Sequence, residues 1–403
     1  MNAQNNSTPT PLIAAKPARV VGSVGNIGDP IRFTNVEPLC GFAAEPSRGG
    51  QTVKVWTRLA LTSDDQLFHR LTENFASVVN HMAQQAGISV RLNHADTVLL
   101  VIKADNTAEL WLDTAAVSLR CVVKRNIAAG EILFEHDIAD VNGMSFPCVN
   151  IEATDRVLCI FREAWRFAFA FDFNPDGKLD VDRFTRTLGT LYRELRYRHL
   201  YEALSDPDLF DRLLASGWFP FAEIITSEFK ELLHNYEASF ELKEVEDAIL
   251  AKFDAARLQR ILDRWIAKPH FAAKGALLKS AIDAYNRNDP VAVIKILLTE
   301  IEGVLNDAHR AAHGGQGAKL KELLKFAVES AERKAGQPDT LLFPAAFAQY
   351  LAAHTFANFD PVAQTGTADS RHAVGHGAAA QESYTMPRAL QAILTLDQLA
   401  FYT

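Results

Sequence analysis

Between residues 64 and 86, Leu67, Leu71, Phe75, Val78, Val79 and Met82 recur with a period of about 3.6 residues and predict an amphipathic helix. The period then shortens to two. Residues 98–103 and 108–112 are β-favouring runs on either side of the turn-prone pair Asp105-Asn106, and residues 157–161 and 165–171 repeat the arrangement, so two hairpins are expected. Between them, residues 122–138 read as a strand, a glycine turn and a strand. From residue 181 onward the helical period returns. Phe184, Leu188, Leu191, Tyr192 and Leu195 form one stripe, Leu209, Leu213 and Leu214 begin another, and Trp218-Phe219-Pro220-Phe221 makes an aromatic corner suited to core packing. Further helices are expected at 277–287, 291–308, 320–334, 341–359 and 384–402, with Asn288-Asp289-Pro290 capping the join between the first two. Ile301, Leu305, Leu323, Leu324, Phe326, Leu342, Phe347 and Leu351 are the expected core of this last part.

These patterns divide the chain into an arm at 1–52, rich in Asn, Ser, Thr, Pro and Gly, a mixed α/β domain at 53–180, a helical connector at 181–270 and an all-α bundle at 271–403. The expected fold class is α+β and multidomain.

Composition adds limits. With 403 residues, 48% hydrophobic and 22% charged, the chain can bury two or three cores. No apolar run reaches the length a membrane span needs, and residues 1–17 lack the layout of a secretory signal, so a cytoplasmic location and no membrane partner are expected. Cys40, Cys121, Cys148 and Cys159 show no Cys-x-x-Cys spacing and read as small buried hydrophobes of a reducing compartment. A net charge of −8 argues against a broad phosphate-coating surface. Residues 271–403 carry twelve Lys and Arg against thirteen Asp and Glu, a balance of −1. A nucleic-acid site there would need local focusing, for instance from Lys319, Lys321, Lys325, Arg333 and Lys334, which otherwise read as the solvated face of a helix.

Several motifs dissolve on inspection. Gly22, Gly25 and Gly28 lack the spacing of a phosphate loop and read as turn glycines. Residues 172–180 open like the front of an EF-hand calcium loop, with oxygen side chains at loop positions 1, 3, 5 and 9, but Arg183 stands at position 12, where a glutamate should close the ion's shell. An Asn-Pro-Asp-Gly turn leaving a strand accounts for them. His69 and His81 lie about 120° apart around one expected helix and His94 lies beyond it, so no metal set is expected, and no cofactor. Residues 122–138 are similar to the small β-clip segment of sugar-acid lyases and pilus-assembly proteins.

One stretch reads as chemistry: Ser370-Arg371-His372-Ala373-Val374-Gly375-His376-Gly377. Arginine holds a permanent cationic fork suited to phosphate or a developing oxyanion, and histidine exchanges a proton near neutral pH. On a straight helix a five-residue step turns roughly 140°, so Arg371 and His376 converge only if the helix ends between them. Gly375 and Gly377 permit that ending.

Arg371, the polar His372, three spacers, His376-Gly377, Tyr384 and a final helix ending in Leu396-Asp397-Gln398-Leu399 resemble the HEPN superfamily over about residues 271–403. The resemblance implies a HEPN-like helical bundle, commonly dimeric, whose active members are metal-independent endoribonucleases of toxin, antiphage or stress-response systems. It implies RNA or a nucleotide as ligand and an antitoxin or regulatory protein as partner. Other members are non-catalytic, nucleotide- or partner-binding sensors and scaffolds, the alternative function for this chain. His376 would act as general base, Arg371 would stabilise charge on phosphorus, and His372 or a second copy's His376 would protonate the leaving oxygen. Glu302 falls where related bundles carry an acidic residue that holds the arginine or orients the histidine.

Overall fold

The computed structural model describes residues 25–34, 36, 42–43, 47–85, 87–360, 365–366, 370–375, 377 and 379–403. Gly22, Cys40 and His376, singled out above, lie outside those residues, as does much of the 1–52 arm.

The first part is built on ten strands: β1 (Ile31–Phe33), β2 (Phe42–Ala43), β3 (Val55–Trp56), β4 (Arg58–Thr62), β5 (Thr97–Ile102), β6 (Ala108–Leu112), β7 (Ser118–Val123), β8 (Ile138–Ser145), β9 (Arg156–Glu163) and β10 (Arg166–Asp172). Six of them form one antiparallel sheet in the order β1-β6-β5-β9-β10-β4. Helix α1 (Gln66–Gln85) follows β4, and α2 (Val181–Arg196) follows β10. Strand alternation explains the layering. Val98, Leu100 and Ile102 of β5 and Phe169 and Phe171 of β10 pack with Phe68, Leu71, Phe75 and Val79 of α1. Leu99, Val101, Ala168 and Ala170 face the other way, into a layer with Phe184, Leu188, Leu191 and Leu195 of α2.

Both expected hairpins are present. The first turns at Asn106, which takes the left-handed φ of 63° that asparagine tolerates. The second begins one residue later than expected, because Ala164 (φ 56°) and Trp165 form the turn and leave Trp165 80% exposed. The segment 122–138 differs more. Its flanking strands pair as the β7–β8 hairpin, but residues 124–137 form a long connection in which Gly130 is only one turn. This hairpin lies against α2 on the side away from the sheet, and Gly189 sits on Gly143 so closely that an added Cβ would stand 2.5 Å from the Gly143 Cα.

The helices continue with α3 (Arg198–Ser205), α4 (Pro207–Ala215), α5 (Ser227–Glu237), α6 (Lys243–Ala251), α7 (Ala255–Ile266), α8 (Pro269–Ala272), α9 (Gly275–Asn286), α10 (Pro290–Ala312), α11 (Leu320–Ala335), α12 (Pro344–Tyr350), α13 (Arg371–Gly375) and α14 (Met386–Tyr402). Their starts follow local chemistry. Asp206 and Asp289 cap α4 and α10, each with proline at the first helical position. The helix expected at 341–359 is shorter, since Phe343 adopts a left-handed φ of 44° and Pro344 opens α12. One wide turn at Leu351–Thr355 ends it.

A single apolar core runs from Ala139 and Val141 of the hairpin through Trp218, Phe219, Phe221 and Trp265 to Leu297, Ile301, Leu305, Phe347 and the whole of α14. Every residue from Arg388 to Tyr402 is buried. A helix enclosed on all sides is expected to be apolar throughout, yet α14 carries Arg388, Gln391, Thr395, Asp397 and Gln398 inside. Each is partnered: Gln398 donates to the Leu342 carbonyl at 2.9 Å and accepts from the Ala222 N–H at 2.8 Å, and Gln391 donates to the Ser216 carbonyl at 2.9 Å. Among the expected core residues Leu324 is only partly buried. Among the described cysteines Cys159 is buried and Cys121 and Cys148 are half-buried. No helix among the described residues is long and apolar enough to cross a membrane.

Candidate functional site

Ser370 is fully buried, and its hydroxyl accepts from the Ala373 N–H at 3.4 Å, starting the short helix α13. Ala373 and Val374 point inward and anchor it. Arg371 and His372 remain half-exposed on its outer side. The helix stops where the two glycines stand, with Gly377 at a φ of 69° and its N–H on the Val374 carbonyl at 3.1 Å.

Arg371 reaches across to α10, where its Nη2 lies 2.8 Å from Glu302 Oε2. The two side chains are 29% and 34% exposed, so the pair is screened on one side only. Charge-assisted bonds of this length are the stronger kind, and one carboxylate fixes the plane of the guanidinium. Arg371 Nε is buried and has no hydrogen-bond partner among the described residues. Seven residues before Glu302, two turns along the same face of α10, Lys295 places its ammonium 5.7 Å from the centre of the Tyr384 ring. Two residues of the α13–α14 segment, Arg371 and Tyr384, thus meet one stripe of α10. His372 is half-exposed, and His376 follows α13 directly in the chain but lies outside the described residues.

The other sequence candidates resolve into structural roles. Asp172 pairs with Arg58 at 2.9 Å, Asn174 (φ 46°) and Gly177 (φ 64°) shape the turn after β10, and Asp180 caps α2 through the Arg183 N–H at 2.8 Å. Among the described residues no three His, Cys, Asp or Glu side chains gather as metal ligands would. Lys319, Lys321, Lys325 and Arg333 are exposed along α11, Lys325 lying 3.6 Å from Glu329. Lys334 behaves differently.

Lys334, also exposed, lines a half-open cavity of about 720 Å³ bordered by the β7–β8 hairpin, the end of α7, the end of α11 and the end of α14. Lys124, Arg125, Arg260, Arg264, Lys268 and Lys334 line it, against only Asp140 and Asp263. Arg264 is committed to a buried network: it meets Asp397 at 2.7 Å and Glu223 at 2.7 Å, while Arg257 lies 3.3 Å from Glu223 and 3.1 Å from Glu228. Arg125 is committed to Asp137 and Glu131. Desolvation against the cavity wall, reinforced by the Lys268 charge, pushes the Lys334 ammonium down to about 8. Burial lowers Lys268 as well. No residue of the 370–377 motif lines this cavity, and its members come from positions more than two hundred residues apart in the chain, a grouping that no local pattern announces.

No protein-family model, curated protein or solved structure matches this chain.

Proposed function

We propose that the chain is a metal-independent endoribonuclease of the HEPN kind, acting in a toxin, antiphage or stress-response setting. The observation that carries this reading is the Arg371–Glu302 ion pair, which holds a half-exposed guanidinium at the start of a helix that ends at Gly375, the residue before His376 in the sequence. A structural arginine would serve as well buried; this one is braced and left at the surface.

In the proposed reaction, neutral His376 takes the proton from a ribose 2′-hydroxyl and the freed oxygen attacks the adjacent phosphorus. General base help of this kind is worth a factor of roughly 10² to 10⁴. Arg371 donates N–H bonds to the non-bridging oxygens as charge builds on them. The 5′-oxygen leaves and needs a proton, which His372 or the partner's His376 supplies, so a homodimer belongs to the reading. The products are a 2′,3′-cyclic phosphate and a 5′-hydroxyl. No oxidant, reductant or metal enters the balance.

The test is cleavage of end-labelled RNA by the full chain in EDTA, beside Arg371→Ala and His376→Ala. Cyclic-phosphate ends from the parent, lost in both variants, support the reading. A folded parent that binds RNA or nucleotide and leaves it intact sinks it in favour of a sensor or scaffold.

A further inference from the structure

Lys268 and Lys334 line the same cavity, and among the described residues neither has a carboxylate within ion-pair distance. Arg260, on the same wall, is likewise outside every described ion pair. Two ammonium groups that share a cavity repel each other. Lys268 is half-buried and Lys334 exposed on this concave wall, with Arg264 beside them, already neutralised by Asp397 and Glu223. Val122, Leu342, Ala400 and Phe401 supply the cavity's apolar lining, the centre of the Phe401 ring lying 4.7 Å from the Arg264 guanidinium carbon. Its volume falls within the range of about 300–1,000 Å³ usual for small-molecule sites.

We infer that this cavity binds a small phosphate-bearing anion, a nucleoside diphosphate or triphosphate, with Lys268, Lys334 and Arg260 on the phosphates and the apolar wall against the nucleoside. The anion supplies the countercharge that the protein itself withholds from the lysine pair. Lysine is suited to this as a compact point charge, and arginine as a fork across two oxygens. Of the two acids in the lining, Asp140 accepts from Thr340 and from the Leu341 N–H at 2.6 and 3.0 Å and lies 4.0 Å from Arg193, and Asp263 accepts from Gln259 at 2.7 Å, so two carboxylates stand against six cationic side chains. An anion held here also keeps Lys334 protonated, so binding near pH 8 draws a proton from solution. This site stands apart from the motif and does not rest on the nuclease reading.

The experiment is titration calorimetry on the full chain at low salt with ATP, inorganic triphosphate and adenosine, repeated in buffers of different ionisation enthalpy. One saturable site is expected, tight for ATP, weaker for triphosphate and absent for adenosine, with proton uptake near pH 8. Lys268→Gln/Lys334→Gln is expected to weaken ATP by about tenfold or more, and Arg371→Ala to leave it unchanged. The double variant removes a repulsion and should melt no lower than the parent; Lys334→Gln alone, at the exposed mouth, is the second variant. Failure of ATP and triphosphate to bind, equal binding by the lysine variants, or binding of single-stranded RNA alone through these lysines overturns the assignment.

Discussion

Arg388 Nη1 donates to His354 Nε2 at 2.6 Å inside the helical core. A guanidinium has no lone pair to give, so the imidazole nitrogen must be the acceptor and His354 must be neutral. Burial, then the Arg388 charge, pushes its pKa down to about 2. Gly217 closes over the pair, for a Cβ there would stand 2.6 Å from His354 Nε2.

The consequence is a stability that falls in mild acid. The unfolded chain protonates His354 below about pH 6.5, whereas the folded chain refuses the proton until far lower pH. The unfolded state therefore binds more protons, and stability drops as pH falls through that window, by up to about 1.4 kcal/mol per pH unit. Urea unfolding of the parent and of His354→Asn from pH 7.5 to pH 5 measures the difference. A parent no steeper than the variant would show that His354 is not the proton acceptor.

Glu302 offers a prediction on the proposed activity. Glu302→Gln keeps an acceptor for Arg371 but removes the countercharge, so RNA cleavage is expected to fall about tenfold with little change in melting, since half-exposed ion pairs contribute only ~1 kcal/mol or less. Arg371→Lys should fall further, by roughly 10² or more, because a point charge cannot reproduce the fork. Single-turnover rates with end-labelled RNA separate the two; equal activity in Glu302→Gln and parent would reduce the pair to a surface contact.

Local pattern made α1, both sheet hairpins, the helical stripes and the position of α14 legible, because each element announces its own period. Pairing over long sequence separation stayed hidden. Nothing near Asp397 marks it as the partner of Arg264, and nothing near His354 sets it apart from His69, His81 and His94. The Arg371 motif was visible as a spacing, and Glu302 as a position, but the 2.8 Å contact between them depends on how α13 lies on α10. The cavity's two lysines were visible only by half, as Lys334 in a basic helix, since Lys268 comes to the same cavity from the turn after α7.

Gly189 tests the packing of α2 on the β7–β8 hairpin. Helix propensity alone favours alanine over glycine in α2 by about 0.5–1 kcal/mol. Here an added Cβ meets the Gly143 backbone at 2.5 and 2.7 Å, and a backbone cannot rotate away as a side chain can. Overpacking of this kind costs about 1–3 kcal/mol, so the contact outweighs the propensity and Gly189→Ala should be destabilising. Gly143→Ala meets mainly the Thr185 methyl at 2.9 Å and the Arg120 tip at 3.2 Å, and a smaller loss is expected in the same denaturant series. A stabilised Gly189→Ala would mean that helix and hairpin stand further apart than described.

Asp397 ties α14 to α7 at the centre of the core. Its carboxylate takes Arg264 Nη2 at 2.7 Å, Arg264 Nε at 3.0 Å and the Trp265 Nε1–H at 2.9 Å, with the aspartate 2% and the arginine 13% exposed. Removing one member of a buried pair strands the other, at a cost of about 3–5 kcal/mol. Asp397→Ala leaves Arg264 with Glu223 alone and Trp265 with an unsatisfied donor, so a loss at the lower end of that range is expected. Asp397→Asn keeps an oxygen for Trp265 and should lose less, the difference between the two variants reporting the indole bond. Thermal or urea unfolding of both variants, followed by far-UV circular dichroism, checks the order; Asp397→Ala as stable as the parent would show that the pair contributes nothing net to holding α14 in place.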